Sequence, residues 1–150
     1  ESLQDRLSIV GADLLLRTLP EWIEQKLVPV RQNNERASYT QTIRKQEGRL
    51  DWQLSALELD RRVRAYYPWP GCHTYWRGKI LKVLKAVPLP ASKPVEPGLV
   101  VELSDDVASV GVGTSNGILG LLTIQFEGKK ALAAQDFLRG QAQFIGQMLG

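Results

Sequence analysis

The sequence holds a single cysteine, Cys72, and a single histidine, His73. One thiol excludes an intrachain disulfide and fits a reducing, cytosolic setting. One His and one Cys leave a structural zinc site short of soft ligands. No apolar run approaches the ~20 residues of a membrane span, which argues against a membrane partner, and the start lacks a signal-peptide layout. No P-loop, HExxH or paired-carboxylate motif is present. Neighbouring strand residues point to opposite faces, so Cys72 and His73 make a poor nucleophile–base pair. The glycines at Gly111, Gly113 and Gly117 do not have dinucleotide-loop spacing, and no helix follows to meet a phosphate. Asp105-Asp106 reads as a turn. The expectation is a chain with no self-contained active site, no metal and no cofactor of its own.

What is present is an ordinary globular balance over 150 residues, 43% apolar and 23% charged, enough for one core or two small ones. The net charge of +3 and pI of about 9.1 are mild for a nucleic-acid binder, so the placement of the cations matters more than their sum. The chain opens at Glu1 inside a helical pattern, which reads as a piece of a longer protein.

Ser2 and Asp5 suggest an N-cap box. Leu3, Leu7, Val10 and Leu14 follow at helical spacing, widened by Leu15 and Leu16, and Pro20 is expected to end or kink this helix. So apolar a helix needs something to lie against. Residues 28–38 lack periodicity and read as a linker. The strongest helix signal runs from Ser55 to Tyr67, with Ser55 and Glu58 as a capping box and Ala56, Leu59, Val63 and Tyr66 as one face. Arg61, Arg62 and Arg64 on that helix read as a solvated face near its C-terminus. Pro68-Trp69-Pro70-Gly71 then forms a stiff corner that neither helix nor interior strand can cross, with Trp69 expected to plug the core beneath it.

Beyond the corner, strands are expected at 72–76, 80–87, 98–103, 107–112 and 118–126, with turns at Arg77-Gly78 and Asn116-Gly117 and a possible bulge at Gly120. Residues 88–97 hold four prolines and read as a loop, and 134–149 as a final helix interrupted by Gly140. The fold class is thus mainly β with flanking helices: an OB-like small β-barrel preceded by a helix and a linker.

The candidate binding residues are cations. Arg44, Lys45 and Arg49 cluster between Tyr39 and Trp52, where a solvated linker and a phosphate contact are both open readings. Lys79, Lys82 and Lys85 lie in the second strand, where strict alternation puts Lys79 and Lys85 on one face and Lys82 on the other. Lys129 and Lys130 sit in a turn.

Three longer stretches carry a family resemblance: Gly11-Ala-Asp-Leu-Leu-Leu-Arg-Thr-Leu19, Ala37 to Trp52, and Val63-Arg-Ala-Tyr-Tyr-Pro-Trp-Pro-Gly71. With Ile80-Leu-Lys-Val83, Pro97-Gly98, Gln125-Phe-Glu-Gly-Lys-Lys130 and Gln135-Asp-Phe-Leu-Arg-Gly140, the chain resembles the C-terminal part of the methionyl-tRNA formyltransferases. That family moves a formyl group from 10-formyltetrahydrofolate to the amino group of initiator methionyl-tRNA. Its Asn/His/Asp catalytic set and folate site belong to an N-terminal Rossmann-like domain whose motifs are not in this sequence. The resemblance implies that residues 1–27 are the last helix of that catalytic domain, 28–52 an interdomain linker and 53–150 an OB-like tRNA-binding domain. It also moves Arg44 and Lys45 from the solvated reading to phosphate contact. Gln41 and Gln46 stand where relatives commonly carry lysine, proline or glutamate. Two alternatives stay open: a structural domain of a formyltransferase acting on a small molecule such as a nucleotide sugar, and a protein-interaction domain. The basic linker and the Gly-Lys-Lys turn argue against the first.

Overall fold

Glycines and short β-branched runs after Gly71 produce one curled antiparallel sheet. The computed structural model describes residues 2–150, in two compact units, one up to Thr42 and one spanning Ile43–Gly150. The N-cap pattern read at Ser2 rests on a side chain outside that description.

The first unit is built on α1 (Ser2–Ile23). Pro20 does not end it, and the helix runs on to Ile23. Proline removes the donor to the Leu16 carbonyl, at a turn of the helix where Leu16 is 74% exposed. The helix ends instead in a Schellman motif: Lys26 N–H donates to the Glu21 carbonyl at 2.9 Å and Gln25 N–H to that of Trp22 at 3.1 Å, with Gln25 left-handed at φ 57°. No described residue of α1 is buried.

The second unit begins before the barrel expected from residue 53. Leu50 and Trp52 are core residues, and Leu50 N–H donates to the His73 carbonyl at 2.8 Å. Helix α2 (Ala56–Ala65) starts on the expected capping box, Ser55 N–H to Glu58 Oε2 at 3.0 Å and Glu58 N–H to Ser55 Oγ at 3.3 Å. Ala56, Leu59 and Val63 are buried under it. Asp60, also buried, receives Arg64 Nε at 3.0 Å, so Arg64 is committed to its own helix.

The strands are β1 (Cys72–Trp76), β2 (Lys79–Leu89), β3 (Val100–Glu102), β4 (Val110–Gly113), β5 (Ile118–Phe126) and β6 (Leu132–Ala133). They are ordered β1-β2-β5-β4-β3, with β6 added to β5. The sheet is a half-barrel, and the C-terminal residues span its gap. Val100 N–H donates to Gln147 O, Leu149 N–H to Gly98 O (both 2.9 Å), and Gly150 N–H to Tyr75 O at 3.2 Å. The small barrel behind a helix is therefore as expected, and the last helix is interrupted at Gly140 as expected, but it does not resume to residue 149. Helix α3 (Ala134–Gly140) stops at its glycine, a 3₁₀ turn follows at Ala142–Phe144, and the tail is extended against β3. Phe144 is fully buried and stands edge-on to Trp76, with ring centroids 5.0 Å apart.

Two further expectations are corrected. Gly120 is in register with both Gly111 and Val87 and is not a bulge; it is glycine because a Cβ would press on Ala108, Leu89 and Val87 at 2.9–3.0 Å. Trp69 is 59% exposed, as is Tyr67 at 47%. The core under the corner is filled instead by Val63 and Cys72, which leaves the Trp69 ring outside.

Candidate nucleic-acid interface

The geometry of this face starts with β1, whose alternate residues Cys72, Thr74 and Trp76 are buried. His73 and Tyr75 consequently point outward and stand edge to face, 5.8 Å between centroids. In the antiparallel register His73 lies opposite Lys82, and Lys82 opposite Gln125. On the other side of β1, Arg49 pairs with His73 in a parallel bridge. Arg49, His73, Lys82 and Gln125 thus form one lateral row across four chain segments. Same-face neighbours at this spacing interact directly.

A 3₁₀ turn, Lys45–Gly48, holds the Arg49 end of the row. Gly48 is buried and packed so closely on the corner that a Cβ there would overlap the Gly71 carbonyl oxygen. Glu47 Oε1 accepts the Arg44 N–H at 3.0 Å and closes the turn from the other end. The Arg49 guanidinium lies over the Tyr75 ring, 5.6 Å from its centroid, a cation–π contact.

The same three cations act on the His73 ring. His73 is held below its ordinary imidazole range, first by loss of water on burial and then by repulsion from Arg49, Lys45 and Lys82; a hydrogen bond with the Gly71 backbone opposes this. Three cations act on one ring, so that ring stays neutral near pH 7. Cys72, one residue away, is buried and its thiol is pushed up to about 11, chiefly by desolvation. It is a core residue and a poor nucleophile.

Lys85 joins this outer face through an irregularity that alternation does not show. The register shifts between Val83 and Lys85, where two β2 residues oppose one on β5. The extra residue reverses the parity of the strand. Lys82 and Lys85 therefore both face outward and are exposed, and the expected split between them is corrected. Lys79 is elsewhere, over the Phe126 ring at 6.0 Å. Lys129 and Lys130 are near it on the turn after β5, since Glu127 N–H donates to Ile80 O at 2.9 Å. Arg77, not among the sequence candidates, belongs to this second group and stacks over Trp76 at 4.8 Å. Nothing in its local sequence distinguishes it from a turn cation.

All eight candidates, Arg44, Lys45, Arg49, Lys79, Lys82, Lys85, Lys129 and Lys130, are exposed, and none takes part in an ion pair among the described residues. The structure brings Lys45, Arg49 and Lys82 together around His73, sets Lys85 further along the same face, leaves Arg44 next to Lys45 at the start of the 3₁₀ turn, and keeps Lys79, Lys129 and Lys130 at the turn end. Sequence reasoning missed His73, because only strand register places it between Arg49 and Lys82.

Comparison with known proteins agrees with this architecture. The family model for the formyl transferase C-terminal domain matches residues 42–142. The chain is similar to the methionyl-tRNA formyltransferase of Bacillus pumilus, 40% identical over 99% of this chain and 47% of that protein. It is also similar to that of Roseiflexus sp., 38% identical over 99% and 45%. The chain spans about half the length of these curated relatives. Among solved structures, a HypX variant from Aquifex aeolicus shares the fold with a TM-score of 0.63 at 20% identity, covering 90% of this chain and 24% of that one. HypX from the same organism in complex with tetrahydrofolic acid gives 0.60 at 21% identity, covering 88% and 22%. The match over most of the chain, on the barrel that carries the basic face, makes this chain a member of the formyl transferase C-terminal domain family.

Proposed function

We propose that this chain is the C-terminal part of a methionyl-tRNA formyltransferase and that its outer sheet face holds initiator methionyl-tRNA while another domain formylates it. The observation that carries this reading is the gathering of Lys45, Arg49 and Lys82 around the neutral His73: three exposed cations, without ion pairs among the described residues, on one face of a preformed barrel. Cations so arranged bind the phosphate backbone and fix its register, giving affinity and salt dependence rather than base readout. The names of the relatives support methionyl-tRNA as the partner; in this reading the setting is translation initiation in the cytoplasm.

In this reading α1 is the last helix of the catalytic domain, which accounts for an apolar stripe with no buried residue. The formyl donor, 10-formyltetrahydrofolate, belongs to that domain as well. The cavity on the basic face, about 100 Å³, is well below the ~300–1,000 Å³ of small-molecule sites. It does not fit a folate. The contribution of this chain is positioning: a tRNA held in register presents its amino group to the donor at high effective concentration.

The test is binding of the chain to initiator tRNA across a salt series. Log affinity should fall linearly with log salt. Replacing Lys45, Arg49 and Lys82 together with alanine should flatten the slope by roughly two to three units, about one per phosphate contact. Lys93→Ala, in the proline-rich loop, should leave it unchanged. An unaltered slope in the triple variant removes this face from the interface.

A further inference from the structure

The tRNA reading leaves one feature of the basic face without a role. Tyr67 and Trp69 stand on the proline corner 47% and 59% exposed, although large aromatics are ordinarily buried for their packing area. Directly beside them is the cavity of about 100 Å³, whose walls include Tyr67, Pro68, Pro70, His73, Lys82 and Gln125. An aromatic side chain, a cation and two hydrogen-bonding side chains thus converge on one small cavity.

We propose that this cavity receives a single unpaired nucleotide of the bound RNA, its base stacked on Tyr67 and its phosphate on Lys82. The proposal rests on the RNA-binding reading above. A base inside a duplex offers only its edges, whereas an unpaired base offers a π-face to an aromatic ring. The cavity is too small for a helix to enter and is open to one splayed base. Gln125 Nε2 donates to the Lys129 carbonyl at 3.0 Å, which orients the amide and leaves Oε1 to accept from a base N–H. His73, kept uncharged by burial and its cationic neighbours, offers a neutral imidazole rather than a second cation. The prolines on either side of Trp69 fix φ at two of the three corner positions, so little ordering is needed when a base arrives.

The experiment compares a labelled single-stranded oligoribonucleotide with a blunt RNA duplex of equal length, read by fluorescence anisotropy at low salt. The chain should favour the single strand. Tyr67→Ala should weaken single-strand binding about five- to a hundredfold, the range of one base–aromatic stack, with duplex affinity and salt slope unchanged. Tyr67→Phe should bind like the parent, because the ring face is what stacks. Tyr67→Leu, which keeps apolar bulk without a π-face, should behave like Tyr67→Ala and replaces it if the alanine variant does not unfold cooperatively. Lys82→Gln should weaken both RNAs and lower the slope. The nucleotide pocket is overturned if Tyr67→Ala and Tyr67→Leu bind the single strand like the parent, if Tyr67→Phe loses as much as they do, or if duplex binding falls in step. Steep, salt-dependent tRNA binding that ignores Tyr67 sinks the pocket alone. Absence of binding to any of these RNAs sinks both readings.

Discussion

Helices α1 and α2 are both amphipathic in sequence, and they have opposite fates. The 22-residue α1 carries Leu3, Leu7, Val10, Leu14, Leu15, Leu16 and Leu19 and buries none of them. The 10-residue α2 buries Ala56, Leu59 and Val63. A helical stripe records that a partner surface exists; it does not record whether that surface is in the same chain. For α2 the partner is the sheet that follows. In α1 the apolar stripe stays exposed within its own unit.

The widest separation between the two helices should appear on truncating one leucine in each. Leu59 is fully buried, and Leu59→Ala should cost about 2–5 kcal/mol from lost burial plus the cavity left behind. Leu14, 59% exposed, should change stability by no more than about 0.5 kcal/mol on the same substitution. Urea unfolding of both variants measures the difference, and equal losses would mean that α1 is packed.

Next in size is the junction that holds the Arg49 end of the basic row. Gly48→Ala forces its Cβ into the Gly71 carbonyl. It should cost about 1–3 kcal/mol as overpacking and weaken RNA binding by displacing Lys45 and Arg49. The comparable change in α1, Gly11→Ala, meets no atom within 4 Å and should stabilise the helix slightly, by ~1 kcal/mol or less. Thermal melts distinguish these opposite signs.

A smaller effect is expected at the start of α2. Ser55→Ala removes the acceptor for Glu58 N–H and half of the capping box, worth about 1 kcal/mol. Retention of full stability would show that burial alone sets this helix.

The smallest is the pH dependence of the barrel. His73 has a lowered pKa in the fold, so below the ordinary value of about 6.5 the unfolded chain takes up a proton that the folded chain resists. The neutral ring therefore contributes stability above that pH, and the contribution is lost as pH falls through the folded value. Denaturant midpoints between neutral and acidic pH should fall less steeply in His73→Gln.

How much of this was readable in the residues depends on range. The capping box at Ser55 and Glu58, the Asn116-Gly117 turn and the Arg77-Gly78 turn, with φ of 51° and 71°, involve groups a few positions apart. Their geometry is decided by local sterics and hydrogen bonds, so they were legible, as was the set of eight exposed cations. The cluster around His73 was not. It depends on pairing across 9 positions between His73 and Lys82, 43 between Lys82 and Gln125, and 24 between Arg49 and His73. A one-residue irregularity at Leu84 was enough to move Lys85 to the other face. Trp69 was misplaced for a related reason: an aromatic between prolines is apolar whether the core beneath it is vacant or already filled.

The sequence by itself determined the alternation of elements, the turn positions and the family. These follow from side-chain composition and backbone sterics over short spans. Only the tertiary structure decided which cations meet, that the aromatic corner faces water beside them, and that the apolar stripe of α1 stays exposed within its own unit. Those outcomes depend on strand register and on competition for core volume, which are properties of the whole sheet rather than of any one segment of it.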